Sequence, residues 1–356
     1  MLRLSFFAPT TVTNTQVSQN RLESLQVLRA VAALMVVAFH MNIFILPETL
    51  NIGTAWAGLN MGYAGVEVFF VLSGFIMFYR HGDEMGQGSR LWPYLYARFA
   101  RIFPVFWVVL GVVIALRFAV YDSLPTLKSL LISMSMLPIF DQHIIGVQWT
   151  LSFELMFYLV FAIGFVHRGI GRAVLALWFA ICALKVLLGH SGELPTFFFS
   201  PYNLLFLFGM LAVSLWRYVG GFAAALAIGG AITFVGIGLT EALGVMTYHF
   251  AIRTILYGLA ATAMVCGVVA LEQQGHWHAP KFTVFLGNAS YAIYLVHITA
   301  MGAVAQVFKK LGIAELPLPI VATAVFVAAV LIGCFAHLLL ERPLINFTRR
   351  FRPKTR

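Results

Sequence analysis

Charge is what this sequence lacks. Only 10% of its 356 residues are charged, and acidic groups are the scarcer sign, 13 Asp and Glu against 23 Lys and Arg. A soluble domain carries about 25% charged residues, so this chain could not cover a water-facing surface with polar groups. Cysteine is almost missing as well. Cys182, Cys266 and Cys334 each lie in an apolar run, show no metal-ligand or redox spacing, and read as small core residues. There is no Walker A loop, HExxH, GxSxG or CxxC, and no metal is expected. No internal repeat is evident. The opening residues, rich in Thr, Asn, Gln and Ser, lack the apolar core and cleavage site of a signal peptide. Residues 1–21 are therefore expected to form a flexible lead.

What is present is hydrophobic. Such residues make up 61% of the chain, and the mean hydropathy is +0.91. The fold class this predicts is all-α, a polytopic transmembrane bundle of about ten spans with no sizeable soluble domain. The apolar stretches run over 25–46, 62–80, 99–120, 144–166, 172–189, 200–217, 221–240, 250–271, 287–308 and 317–340. They place a membrane body at 22–343 and a basic tail at 344–356. The interruptions near 81–97 and 121–143 are expected to be loops or interfacial helices.

The net charge of +10 reports orientation rather than a nucleic-acid partner. With a cytoplasmic N-terminus, one side receives Arg3, Arg21, Arg80, Arg90, Arg98, Arg101, Arg168, Arg172, Arg217, Lys281 and the tail from Arg342 to Arg356. The other receives Lys128, Lys309, Lys310 and few more. Basic residues favour the cytoplasmic side, so both termini are expected there.

The ionisable residues left inside spans are functional candidates by default. Arg29 and His40 are eleven steps apart on the first span. At about 100° per step this is about 20° past three turns, so both lie on one helix face, about 16 Å apart along the axis. Glu67 opens the second span in GVEVFFVLSGF, at a depth expected to match His40. Glu154 lies near mid-membrane in WTLSFE, beside Trp149, Thr150 and Ser152. A carboxylate partner, Glu67 or Glu154, would fix the tautomer of His40 and raise its basicity. Arg98 and Arg101, at i and i+3 before the third span, place two guanidiniums on one face, suited to a phosphate. On the ninth span Tyr291, Tyr294 and His297 recur every three residues as one slightly polar face. Glu341-Arg342-Pro343 closes the last span.

Taken in order along the chain, the Arg29/His40 pair, GVEVFFVLSGF, Arg98-x-x-Arg101, WTLSFE, SYAIYLVH and the final ERP resemble the acyltransferase 3 family. These are bacterial membrane enzymes that acylate sugars of surface and secreted polysaccharides. The VQWTLSFE wording is most similar to the exopolysaccharide O-acetyltransferase branch. The resemblance implies an acetyl-CoA-dependent enzyme of the inner membrane with about ten helices around a central site. Arg29, Arg98 and Arg101 would hold the CoA phosphates. His40, with Glu67 or Glu154, would act as general base on a sugar hydroxyl, with an acetyl-His intermediate as a variant. Trp149, Ser152, Tyr291 and His297 would contact substrate. The implied partners are acyl-CoA, a polysaccharide or lipid-linked glycan, the bilayer, and polysaccharide-assembly machinery. Some members carry an added hydrolase-like domain; the chain ends soon after the tenth span, so none is expected in cis. A proton-coupled transporter or flippase of a glycan or small acid is the competing reading of the same buried groups, and a non-catalytic scaffold ranks below both.

Overall fold

The computed structural model describes residues 22–139, 143–189 and 197–353. The expected lead over 1–21 and the end of the basic tail lie outside the described residues. Among the described residues there is no strand. The α-helices are α1 (Glu23–His40), α2 (Gly65–His81), α3 (Leu91–Tyr121), α4 (Leu127–Ser135), α5 (Gln148–Val166) and α6 (Arg168–Leu187). They continue with α7 (Tyr202–Leu215), α8 (Ala223–Ala242), α9 (Phe250–Gln273), α10 (Lys281–Lys310), α11 (Leu318–Ala336) and α12 (Arg342–Arg349). Over the described residues the chain is polytopic and helical, with no separate soluble domain.

Nine of the described helices are long and apolar enough to cross a membrane. The sixth expected stretch, 200–217, falls short, because α7 has only 14 residues. At 1.5 Å per residue that is about 21 Å, less than a hydrocarbon core of about 30 Å. Pro201 precedes its first residue, and its last passes into a 3-10 turn, Trp216–Tyr218. The third expected stretch was too short instead. α3 begins at Leu91, so Arg98 and Arg101 sit inside the helix rather than before it. Pro93 lies in its first turn, where the missing N–H would have had no intrahelical partner anyway.

Lipid cannot supply a hydrophobic drive between helices, so close packing must hold them together. Small residues make the approach possible. A Cβ on Gly74 would lie 2.1 Å from the Phe206 carbonyl oxygen, and one on Gly209 would lie 1.9 Å from that of Val71. These two contacts clamp α2 to α7. On α10, Gly287 meets the Gln26 backbone of α1 in the same way. The main pairings are α1 with α10, α2 with α7, α8 with α9, and α10 with α11. By contrast α3 presents Val108, Val112, Leu116, Phe118 and Val120 outward, an apolar stripe that water would not tolerate and acyl chains would.

Contacts at the helix ends sort the two faces. At one face the Glu272 carboxylate of α9 accepts the Glu23 and Ser24 backbone N–H groups, 2.8 and 2.9 Å. It thereby satisfies free donors at the start of α1, which has no capping side chain of its own. At the other face α1 passes directly into a π-helix, Met41–Leu50, a form that collects at functional sites. Fully buried Asn42 anchors the loop that follows. Its amide donates to Trp56 O and Asn60 Oδ1, and its oxygen accepts the Ala55 and Trp56 N–H groups.

Candidate functional site

Helices α1, α2, α3, α5 and α10 enclose a cavity. Its polar lining is Arg29, Ser73, Arg101, Thr150, Glu154 and Ser290, with Tyr291 and Tyr294 on the α10 wall. Phe69, Phe70 and Ile76 of α2 and Ile102 of α3 supply apolar walls. About 60 Å³ of the cavity is open to the centres of water-sized molecules. The two guanidiniums come from different helices. Arg29 donates through Nε and Nη2 to Ser290 Oγ, at 3.2 and 3.1 Å, and lies within electrostatic reach of Arg101 and Glu154. Two cations beside hydroxyl donors, inside low-dielectric walls, make a site suited to an anionic group.

Glu154 is the carboxylate of this cavity. Its Oε1 accepts both the Ser73 hydroxyl at 2.9 Å and the Tyr158 hydroxyl one helical turn on. Two donors on one oxygen fix the rotamer and leave Oε2 for whatever occupies the cavity. Arg98 takes a different course from Arg101. Its guanidinium carbon lies 5.6 Å from the centre of the Tyr158 ring, and Arg98 does not line the cavity. The i, i+3 spacing leaves the two side chains about 60° apart on the helix, enough to send one into the cavity and the other behind its wall.

His40 and Glu67 do not meet. The first turn of α2 packs low on α1, with Gly65 against the Ala32 carbonyl, so Glu67 sits deeper than His40. Glu67 is fully buried, and neither carboxylate oxygen has a hydrogen-bond partner. The charges within its reach are Arg253 and Glu241. Nor does Glu154 reach His40. The ring instead meets α10, where His40 Nδ1 lies 3.0 Å from His297 Nε2. Its Nδ1 is also 3.0 Å from the Val36 carbonyl oxygen, and the ring stacks on Phe44 at 5.8 Å. His297 is fully buried, and its Nδ1 lies 2.6 Å from the Tyr294 carbonyl oxygen. Both ring nitrogens of His297 thus meet protein partners.

Tyr294 connects the two regions. Its hydroxyl bonds Thr150 Oγ1 at 2.9 Å, and its ring meets Phe69 at 5.8 Å and His297 at 5.7 Å. Of the other expected substrate contacts, Tyr291 lines the cavity while its hydroxyl donates to Ile102 O at 2.8 Å. Trp149 packs on Tyr202 at 5.4 Å and Ser152 is buried, both off the cavity lining.

Sequence reasoning passed over Ser73, Tyr158 and Ser290. Ser73 is the polar residue of LSGF, Ser290 stands in NASY between Ala289 and Tyr291, and Tyr158 stands four residues after Glu154, a spacing that puts side chains on one face. A second polar group also went unseen. Arg253 pairs with Glu241 at 2.8 Å, the Tyr63 hydroxyl donates to the other Glu241 oxygen, and Arg253 lies 4.7 Å over the Tyr63 ring. Each of its charges stands near a helix end, where it reads as a boundary residue.

Comparison with known proteins agrees with this architecture. Residues 22–339 match the family described as acyltransferase domain, Acyl_transf_3. The chain is 32% identical to the exopolysaccharide production protein ExoZ of Rhizobium meliloti (strain 1021) over 298 residues, 80% of this chain and 90% of that one. It is 27% identical to the acyltransferase MdmB of Streptomyces mycarofaciens, across 94% of both chains. No solved structure matches it. With the family match spanning the whole helical body that builds the cavity, the chain belongs to the acyltransferase 3 family.

Proposed function

We propose that the protein moves an acetyl or other small acyl group from acyl-CoA to a hydroxyl of an exopolysaccharide or another cell-envelope glycan. Its place would be the bacterial inner membrane, with both termini cytoplasmic. One observation carries this reading. Arg29 and His40 both turn toward α10, one beside a cavity with a second arginine and the other one ring beyond its Tyr294 wall. The separation of about 16 Å along α1 is on the order of the reach of a pantetheine arm. CoA phosphates would lie against Arg29 and Arg101, and the thioester would extend past Tyr294 toward His40.

In this reading His40 takes the proton of the acceptor hydroxyl, whose oxygen attacks the thioester carbonyl. Glu154 orders the cavity rather than the base. The named relatives support a glycan acceptor, since one of them is an exopolysaccharide production protein. The test is incorporation of label from acetyl-CoA into glycan by membranes carrying wild-type protein, His40→Ala or His40→Gln. Loss of at least about 100-fold in both variants is expected of a general base. Wild-type rates in both would overturn that role, and polysaccharide from a deletion strain that keeps all its esters would overturn the function.

A further inference from the structure

We infer that His297 is a positioning residue which holds His40 with its proton on Nδ1 and its free lone pair on Nε2. This rests on the acyl-transfer reading for its purpose, but not for its geometry. The carbonyl oxygen of Tyr294 lies 2.6 Å from His297 Nδ1. A carbonyl can only accept, so Nδ1 must carry the hydrogen. In a neutral imidazole the other nitrogen then holds a lone pair. That nitrogen, His297 Nε2, faces His40 Nδ1 at 3.0 Å. Two lone pairs cannot face each other at that distance, so His40 Nδ1 carries a hydrogen. The Val36 carbonyl, 3.0 Å from the same atom, demands the same assignment from the opposite partner. Two acceptors on two helices thus agree on one tautomer.

The consequence falls on the free end of the ring. His40 Nε2 has no hydrogen-bond partner among the described residues, and His40 is half-buried while His297 is fully buried. One histidine is sealed and orients; the other is reachable and keeps a bare nitrogen. A second-sphere acceptor on the far nitrogen of a working imidazole commonly sets its tautomer, and here an imidazole takes the place a carboxylate was expected to fill. Balance is simple. The O–H of the acceptor breaks and its proton goes to Nε2. A C–O bond forms at the thioester carbon, the C–S bond breaks, and the departing thiolate takes the proton back from Nε2. His297 stays neutral throughout and keeps its bond to Tyr294.

The test uses full-length protein in proteoliposomes with 15N- and 13C-labelled histidine, His40 being assigned by the signals lost in His40→Gln. Nitrogen–carbon couplings show which ring nitrogen carries hydrogen. In the wild type the His40 hydrogen is expected on Nδ1; finding it on Nε2 overturns the inference. His297→Leu removes one of the two acceptors and leaves the Val36 carbonyl alone, so the share of His40 with its hydrogen on Nε2 should rise above that of the wild type. Its kcat should fall at least about 10-fold while KM for acetyl-CoA stays within twofold. His297→Gln restores a side-chain carbonyl and should recover at least about a third of kcat. Equal kcat in wild type and His297→Leu, or equal losses in the Leu and Gln variants, would overturn the positioning role. Should the wild type show the expected tautomer yet transfer no acetyl group, the inference stands and it is the acyl-transfer reading that falls.

Discussion

Arg29 on α1 donates two hydrogen bonds to Ser290 on α10, through Nε and Nη2. The bond steers a long, flexible side chain from a membrane helix into the cavity that Arg101 enters from α3. It also ties together the two helices that bear His40 and His297 further along.

Arg29 and Arg101 should therefore carry CoA affinity, and Arg98 should not carry it equally. A hydrogen bond to a charged group contributes about 1.5–3 kcal/mol, or roughly 10- to 100-fold in Kd. Arg101→Gln should weaken CoA by at least about 10-fold, and Arg98→Gln by less than about threefold. The measurement is the CoA-dependent shift in Tm of purified protein. Equal losses in both variants would return Arg98 to the phosphate site.

Ser73 and Tyr158 both donate to Glu154 Oε1. Ser73→Ala or Tyr158→Phe should each destabilise by about 1–3 kcal/mol, the cost of leaving an enclosed charge less well paired. Because they share one acceptor, the double variant should depart from additivity by at least about 0.5 kcal/mol. Denaturation midpoints of the four proteins decide it, and strict additivity would mean that the two bonds act independently.

Glu67 is fully buried with both oxygens unpaired, an arrangement that costs stability. Glu67→Met, close in size and apolar, should raise Tm, by an amount on the order of 1–4 kcal/mol in free energy. A fall in Tm would show that the carboxylate has a stabilising partner after all. Lost acyl transfer in a more stable variant would place Glu67 on the reaction path, since unfolding could not account for it.

Gly74 and Gly209 permit the close crossing of α2 and α7. Alanine at either position should destabilise by about 1–3 kcal/mol through overpacking. Gly236→Ala is the control, because a Cβ there meets nothing within 4 Å. Equal Tm values for Gly74→Ala and Gly236→Ala would show that the crossing has slack.

Much of the bundle was legible because spanning a membrane is a local demand. A helix in lipid satisfies its own backbone, so a long apolar run is enough to predict one. α7 was misjudged because mean hydropathy ignores where regular helix begins and ends; Pro201 and the turn at Trp216 shortened it. The facing of Arg29 and His40 was legible for the same local reason. Their spacing put both on one side of α1, and both do meet α10. The partners were not legible. Distance from the span ends alone puts Glu67 level with His40. Helix α2 packs with Gly65 against Ala32, a depth that only the contact between two helices decides.

By itself, the sequence determined a polytopic helical chain, the side of α1 that carries Arg29 and His40, and a short set of charges too costly to leave in lipid without purpose. Each follows from periodicity and desolvation, which act along one segment. Tertiary structure decided which arginine enters the cavity, that Glu154 is its carboxylate, and that His40 leans on His297. Those outcomes depend on the rotation and depth at which helices distant in sequence pack, and the glycines that allow that packing act on neighbours no local pattern names.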